Sequence, residues 1–451
     1  MRIGCDVTET GLELRVDDRR FHVHFPPAIW QAYPYRQAFA DNFAYLKTLH
    51  LPQMLDRQEP LEYATALPLF RHQIFMAMLN NISFCADVDG VSTAENLKRF
   101  LALELRFHDH ATNVPIGGKS LGERAVLNMS FGKDSLLTWA VARDLGLRPL
   151  LIMSVDNDGP REYAYKADLA RRFCAEFGET LHVVQNNTGL IHRYEYWGTP
   201  FTEWGFGHLI SEYAMYAVPF AYDFDARYIL LGNEKSCDDS YVNRDGFKAY
   251  PVYDQSSEWG LELSNIARGL TASPMTVMSL IEPLHDLAIT KILHTQYPEV
   301  AKYQMSCFPD ENDYGKDAHW CGHCTKCARN FVFMQANGVD PRSVGHNVDM
   351  FQAECSDNFA LLRGAKKGIP TVGYDATPCG RDEQLFALFL AHTRGAQGPV
   401  MDLFRSTFLR EAEQRQDEFH ERFFTVQPAR TIPAPLLDRV IDLYTEALDG
   451  G

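Results

Sequence analysis

Met129-Ser130-Phe131-Gly132-Lys133-Asp134-Ser135 follows the apolar run Ala125-Val126-Leu127 and opens the helical pattern Leu136-Leu137-Thr138-Trp139-Ala140-Val141. This order predicts a strand, a tight glycine-containing turn and the first turn of a helix. A helix N-terminus presents unpaired backbone N–H groups and the positive end of the macrodipole, so it favours phosphate. Gly132 lets the backbone approach an anion closely, Ser130 and Ser135 add hydroxyl donors, and Lys133 adds a point charge. Asp134 repels phosphate unless a cation lies between them, which implies Mg²⁺. Ser130, Gly132, Lys133, Asp134 and Ser135 are therefore the expected polyphosphate-binding residues. The order is not the Walker A pattern G-x-x-x-x-G-K-[ST].

Outward from this stretch the pattern alternates. Strand 125–129 leads to helix 133–145, and strand 150–155 leads to helix 161–177. Strand 181–185 precedes a long loop and a helix near 206–218, and strand 228–231 ends in Gly232-Asn233-Glu234. Repeated strand–helix units predict an α/β fold, a parallel sheet with helices on both faces. Ligands of such sheets bind beyond the carboxyl ends of the strands. That geometry gathers Ser130–Ser135, Asp156 and Gly232–Glu234 at one edge.

Four regions are expected. Residues 1–118 read as an α+β domain that begins with alternating strands at 11–16 and 20–25 and closes with a linker at 113–118. Residues 119–300 form the α/β domain, 301–345 a cysteine module, and 346–451 a helical region. In the last, Met401, Phe404, Phe408, Ala412 and Phe419 recur near helical spacing and mark one apolar face.

The cysteine module contains Cys307 and then Cys321-Gly322-His323-Cys324-Thr325-Lys326-Cys327. Four thiolates match the ligand count of a closed tetrahedral zinc site, structural because no position stays open for water. An iron–sulfur cluster takes the same four ligands. The context is not that of a thioredoxin-like redox pair. His319 and His323 are alternative ligands but read more readily as flanking residues, and the tail Phe331-Val332-Phe333-Met334 is expected to pack the module onto the sheet. The other cysteines, Cys5, Cys85, Cys174, Cys237, Cys355 and Cys379, show no spacing pattern and read as buried reduced thiols.

A net charge of −16, from 43 basic and 59 acidic residues, argues against a broad nucleic-acid surface while allowing a local basic pocket. No apolar run reaches the roughly 18 residues of a membrane span, and the start carries no signal-peptide core. A cytoplasmic protein with no membrane or nucleic-acid partner is expected, and a disulfide framework is correspondingly disfavoured.

The order S-x-G-x-D-S of Ser130–Ser135 resembles the PP-loop of the ATP pyrophosphatases, the adenine nucleotide alpha hydrolase (HUP) group. The resemblance implies cleavage of ATP to AMP and pyrophosphate, with adenylation of a substrate oxygen. Phe131 stands where those proteins usually carry a second glycine. A PP-loop with four cysteines also resembles, more distantly, the 7-cyano-7-deazaguanine synthases. A closer resemblance is to the MurL family, the UDP-N-acetylmuramoyl-L-alanyl-L-glutamate epimerases. Asn233-Glu234-Lys235-Ser236 matches that family's N-E-x-S segment. Trp320-Cys321-Gly322-His323-Cys324-Thr325-Lys326-Cys327, followed by Phe331-Val332-Phe333, matches its W-C-G-x-C-x-K-C segment and apolar tail. The likeness covers about residues 119–340.

One segment departs. Where the family tends to show H-Q-x-S-K, this chain has Asp254-Gln255-Ser256-Ser257-Glu258, so acids replace a possible base and a cation. The resemblance implies ATP, Mg²⁺ and a structural Zn²⁺, and a peptide carboxylate substrate of the UDP-MurNAc-L-Ala-L-Glu type. Adenylation of the glutamate carboxylate would acidify the α-C–H, and proton removal and return would invert the centre. Glu234 and Asp254 are then the candidates for proton transfer or a second Mg²⁺ contact, and Gln255 and Ser257 for positioning substrate. His208, His285 and His294 lie in helical patterns and read as core or surface histidines. The alternatives are adenylation ending in amide, nitrile or thio transfer, for which Cys237 is the cysteine to watch, a specialised-metabolite carboxylate, and a non-catalytic nucleotide sensor.

Overall fold

The computed structural model describes residues 1–156, 159–307, 319–363 and 373–450. Part of the expected cysteine module, 308–318, lies outside the described residues. In chain order the strands are β1 (Arg2–Val7), β2 (Gly11–Val16), β3 (Arg19–His24), β4 (Leu61–Tyr63), β5 (Leu105–Phe107) and β6 (Gly122–Asn128). They continue with β7 (Leu150–Asp156), β8 (Leu181–Asn186), β9 (Ala226–Leu230), β10 (Tyr241–Val242), β11 (Lys248–Ala249) and β12 (Thr276–Met278). Ten of them form one mixed sheet in the order β12-β9-β6-β7-β8-β3-β2-β1-β4-β5.

The block β12-β9-β6-β7-β8 is parallel throughout. The chain runs from β6 outward through β7 to β8, then crosses to β9 on the other side of β6. That reversal is the topological switch point of a doubly wound sheet, where the crevice beyond the strand ends holds ligands. The expected parallel sheet with helices on both faces is present. Successive residues of β6 show why. Val126 joins one apolar core and Ala125 and Leu127 the other, and none of the three is exposed. A strand whose two faces both meet helices must be apolar at every position, and β6 is so in its buried half.

The first 118 residues extend this sheet. β3 pairs antiparallel with β8 through Val23 opposite Asn186 and His24 opposite Gln185. Phe25, Trp30, Phe39 and Phe43 share one core with Tyr216 and Phe220 of the helix Leu209–Asp223. Phe25 stacks on Trp30 at 4.8 Å and meets Tyr216 at 6.2 Å. Each such fully buried ring contributes about 1.5–3 kcal/mol, so the sheet and its aromatic cover are joined by more than two ladder pairs.

A third core holds the cysteines together with the helices Thr325–Ala336, Pro378–Thr393, Pro399–Thr407 and Leu409–Phe423. Met401, Phe404, Ala412 and Phe419 are buried in it as their spacing predicts, with Phe408 at its margin. The run Phe331–Met334 also packs here, against the C-terminal helices rather than the sheet, and Leu287 is where this core touches the sheet side. The final helix, Ala434–Asp449, leaves the bundle and packs Leu436, Val440 and Tyr444 under the parallel block. Among the described residues no helix is long and apolar enough to cross a membrane.

Candidate nucleotide pocket and cysteine centre

The loop after β6 turns through Phe131, whose φ of +60° lies in the left-handed region. A side chain there costs about 1–2 kcal/mol. Phe131 is held in place by packing. Its ring is fully buried, meets Phe173 edge-on at 5.6 Å, and its carbonyl accepts a 2.8 Å hydrogen bond from the Met305 N–H. The conformation glycine would adopt freely is thus present without glycine. Gly132 itself has an ordinary φ of −71°. What it provides is space, because an added Cβ would meet only Ser130 Oγ at 3.4 Å.

The two serines are braced within the loop. Ser130 N–H donates to Ser135 Oγ at 3.2 Å, and Gly132 N–H donates to Ser130 Oγ at 3.3 Å. Ser135 Oγ donates to the Gly132 carbonyl at 3.1 Å, locking the turn before the helix Lys133–Asp144 begins. Gly232, two residues beyond β9, lets the two loops approach. An added Cβ would lie 2.9 Å from Asp134 Cβ and 3.3 Å from its carbonyl carbon.

Ser130, Asp134 and Ser135 line a cavity of about 450 Å³ together with Asp156, Gly232 and Gln255. Five of these six, all but Gln255, belong to the edge that the alternating pattern selects. The opposite walls carry Glu162, Tyr163, Lys166, His192, Arg193, Tyr213 and Lys326. Three cations and three carboxylates therefore face one cleft in an acidic protein. Lys326 comes from the cysteine module, between Cys324 and Cys327, so that module forms part of the pocket wall. Burial lowers the Lys326 ammonium, with Glu162 opposing the shift.

Lys133 does not face the cavity. Its ammonium is buried against Asp134, Glu234 at 2.9 Å and Asp286 at 3.0 Å. Burial alone would depress it, yet the carboxylates of Asp134, Asp286 and Glu234 hold it well above its usual range. Glu234 is raised well above the carboxylate range by burial, against the pull of Lys133. Asp286 has no obvious sequence signal; it is brought in by the helix Asp286–Gln296 and also lies 3.9 Å from Arg329.

The remaining expected residues divide. Gln255 reaches the cavity, whereas Glu234 and Ser257 line a small neighbouring recess. Asp254 is 1% exposed and is not among the lining side chains. Its Oδ2 accepts from the Ile210 N–H at 2.8 Å, capping the helix Leu209–Asp223. Burial pushes it to about 7 despite the N–H groups of Ile210 and Ser211. Glu258 accepts from Tyr250 Oη at 2.9 Å. Cys237 is buried, and burial followed by the neighbouring Glu234 drives its thiol well above the usual range, which opposes a nucleophilic role.

The four cysteines converge on one point. Sγ–Sγ separations are 3.6 Å for Cys307–Cys327, 3.7 Å for Cys321–Cys327 and 4.0 Å for Cys307–Cys324. A tetrahedron with metal–sulfur bonds of about 2.3 Å has edges of roughly 3.8 Å, so the cluster could hold one zinc ion. Backbone N–H groups of Cys321, His323 and Cys327 point at the sulfurs of Cys307, Cys321 and Cys324, at 3.2, 3.4 and 3.4 Å. They favour the thiolate form. Gly322, at φ +70°, makes the turn, and a Cβ there would strike Val348 at 2.4 Å. Comparison of the chain with protein-family models and with curated proteins finds no match.

Proposed function

We propose that this chain is a PP-loop enzyme that adenylates the terminal glutamate carboxylate of a UDP-MurNAc-L-Ala-L-Glu-type peptide at the expense of ATP, and inverts the glutamate α-carbon. The observation that carries the reading is the placement of the serine–aspartate loop. It ends the first strand of a doubly wound block at the switch point and opens on a 450 Å³ cavity lined by both charges. Helix N–H groups and the hydroxyls of Ser130 and Ser135 supply donors for the phosphates. Lys166, Arg193 and Lys326 offset the charge of two anionic reactants. Asp134 and Asp156 are the hard oxygen donors suited to Mg²⁺, which when bound would offset charge on the departing pyrophosphate.

In the first half-reaction a carboxylate oxygen attacks the α-phosphorus and the bond to pyrophosphate breaks. The product, an acyl adenylate, is a better carbon acid than the carboxylate. A wall base then takes the α-proton, and a proton returns on the other face. Among the lining carboxylates Glu162 is the candidate for this role, since Asp134 and Asp156 are assigned to Mg²⁺ and Glu234 and Asp254 do not line the cavity. Hydrolysis releases AMP and the epimerised peptide.

The test is incubation with ATP, Mg²⁺ and UDP-MurNAc-L-Ala-L-Glu in D₂O. AMP, pyrophosphate and one deuterium at the glutamate α-carbon are expected. The acids at Asp254 and Glu258 favour a second reading, a different carboxylate substrate. AMP released with another carboxylate but not with this peptide would select it. No AMP with any carboxylate would remove the adenylation chemistry.

A further inference from the structure

Three histidines from distant parts of the chain meet at the inner end of the cavity wall. His50 follows the helix Arg36–Thr48, His192 follows the turn Thr188–Ile191, and His208 precedes the helix Leu209–Asp223. None is more than 2% exposed. Ring centroids lie 4.7 Å apart for His50–His208, 4.8 Å for His192–His208 and 5.8 Å for His50–His192. One ring nitrogen of each lies within 4.8 Å of one from both others.

The rings do not satisfy one another. Nδ1 of His192 and Nε2 of His208 make no hydrogen bond, and the His50 ring has a backbone contact at Ile191 but no side-chain partner. A core histidine normally finds a partner for at least one nitrogen, since a buried lone pair left bare is unfavourable. One nitrogen of each ring faces the same region. Glu212 stands behind them, its Oε1 2.9 Å from His192 Nε2 and 3.6 Å from His208 Nε2. A carboxylate that takes the N–H of one ring nitrogen leaves the other as a lone-pair donor, the arrangement found behind metal-binding imidazoles. Lys47 pairs with the same carboxylate and its ammonium lies 2.5 Å from His192 Nε2, so that nitrogen is engaged by the ion pair and Nδ1 of His192 is the one left for a metal.

We propose that His50, His192 and His208 bind a divalent transition metal of the zinc class, at a site separate from the cysteine centre. Glu212 orients His192, and Lys47 balances Glu212. Three imidazole ligands leave one coordination position, and because His192 also lines the cavity, water or a substrate oxygen can fill it.

The test uses the full chain freed of any histidine tag, with metal content measured by plasma mass spectrometry after loading with Zn²⁺ or Co²⁺ and desalting. Two equivalents per chain are expected. Co²⁺ should give a thiolate charge-transfer band from the cysteine centre and a separate visible spectrum from a nitrogen site. His50→Gln and His208→Gln should each reduce the content from two equivalents to one and remove the nitrogen spectrum, leaving the thiolate band. The wild-type chain is decisive even where a variant fails to fold. Cu²⁺ bound to it should show nitrogen hyperfine coupling in its paramagnetic resonance spectrum. One equivalent in total, all of it thiolate-bound, or no nitrogen coupling, overturns the proposal. Neither readout depends on ATP turnover, so failure of the adenylation reading leaves this result standing.

Discussion

The cysteine centre and the histidine cluster are both buried groups of metal-type ligands, and they are assembled in opposite ways. The first draws its sulfurs from one segment, 307–327, and its geometry is made by a local turn at Gly322 and the helix start at Cys324. The second draws its rings from positions 50, 192 and 208 and exists only because β3 pairs with β8 and the helix Leu209–Asp223 packs across both halves. Local assembly is stable to distant change and legible as spacing. Tertiary assembly depends on the whole core and leaves no motif.

The sharpest way to break this contrast is to remove one cysteine. Cys324→Ser should abolish zinc binding at the cysteine centre and unfold the third core, because metal binding supplies on the order of 10 kcal/mol to small four-ligand modules. Calorimetry would show a lost or early transition, and on the proposed adenylating reading ATP affinity should fall because Lys326 loses its anchor. An unchanged melting profile would mean that packing among Phe331, Phe386 and Phe419 suffices without metal.

Lys133 tests the Ser130–Ser135 loop in the same spirit. Lys133→Met should cost about 3–5 kcal/mol, because it leaves Asp134, Glu234 and Asp286 facing one another without their cation. If Lys133 instead serves phosphate, denaturant unfolding will be little changed and the KM for ATP will rise.

Asp254 separates a cap from a base. Its folded pKa of about 7 lies above the unfolded value of about 3.9, so between these pH values the folded state binds the extra proton. Its contribution to stability is therefore complete below about pH 4 and is lost as pH rises toward 7, by up to about 4 kcal/mol. Asp254→Asn should flatten that slope and be relatively more stable at pH 8 than at pH 5, with turnover nearly intact. Loss of turnover with an unchanged stability profile would make Asp254 a base after all.

The smallest effect is the difference between two substitutions at Phe131. Both Phe131→Gly and Phe131→Ala lose the buried ring, about 3–5 kcal/mol. Only glycine also relieves the left-handed backbone, so the glycine variant should be the more stable by about 1 kcal/mol. The reverse order in urea titrations would show that the loop abandons its φ of +60° once the ring is gone.

Much of this was readable in the amino-acid order. Strand, turn and helix around Ser130–Ser135, the parallel alternation through β9 and the cysteine spacing all rest on short-range patterns. Periodicity, helix-start chemistry and ligand spacing act between neighbours in the chain, so one dimension is enough to carry them. The sequence alone also placed Asp134, Ser135, Asp156 and Gly232 at one edge, because strand ends follow from strand order. Only the tertiary structure turned Lys133 into the core, made Asp254 a helix cap, brought Asp286 and Lys326 to the site and drew three histidines together. Those outcomes depend on which carboxylates share a buried space and which helix crosses which strand. Burial and long-range pairing are properties of the packed chain, and no local pattern encodes them.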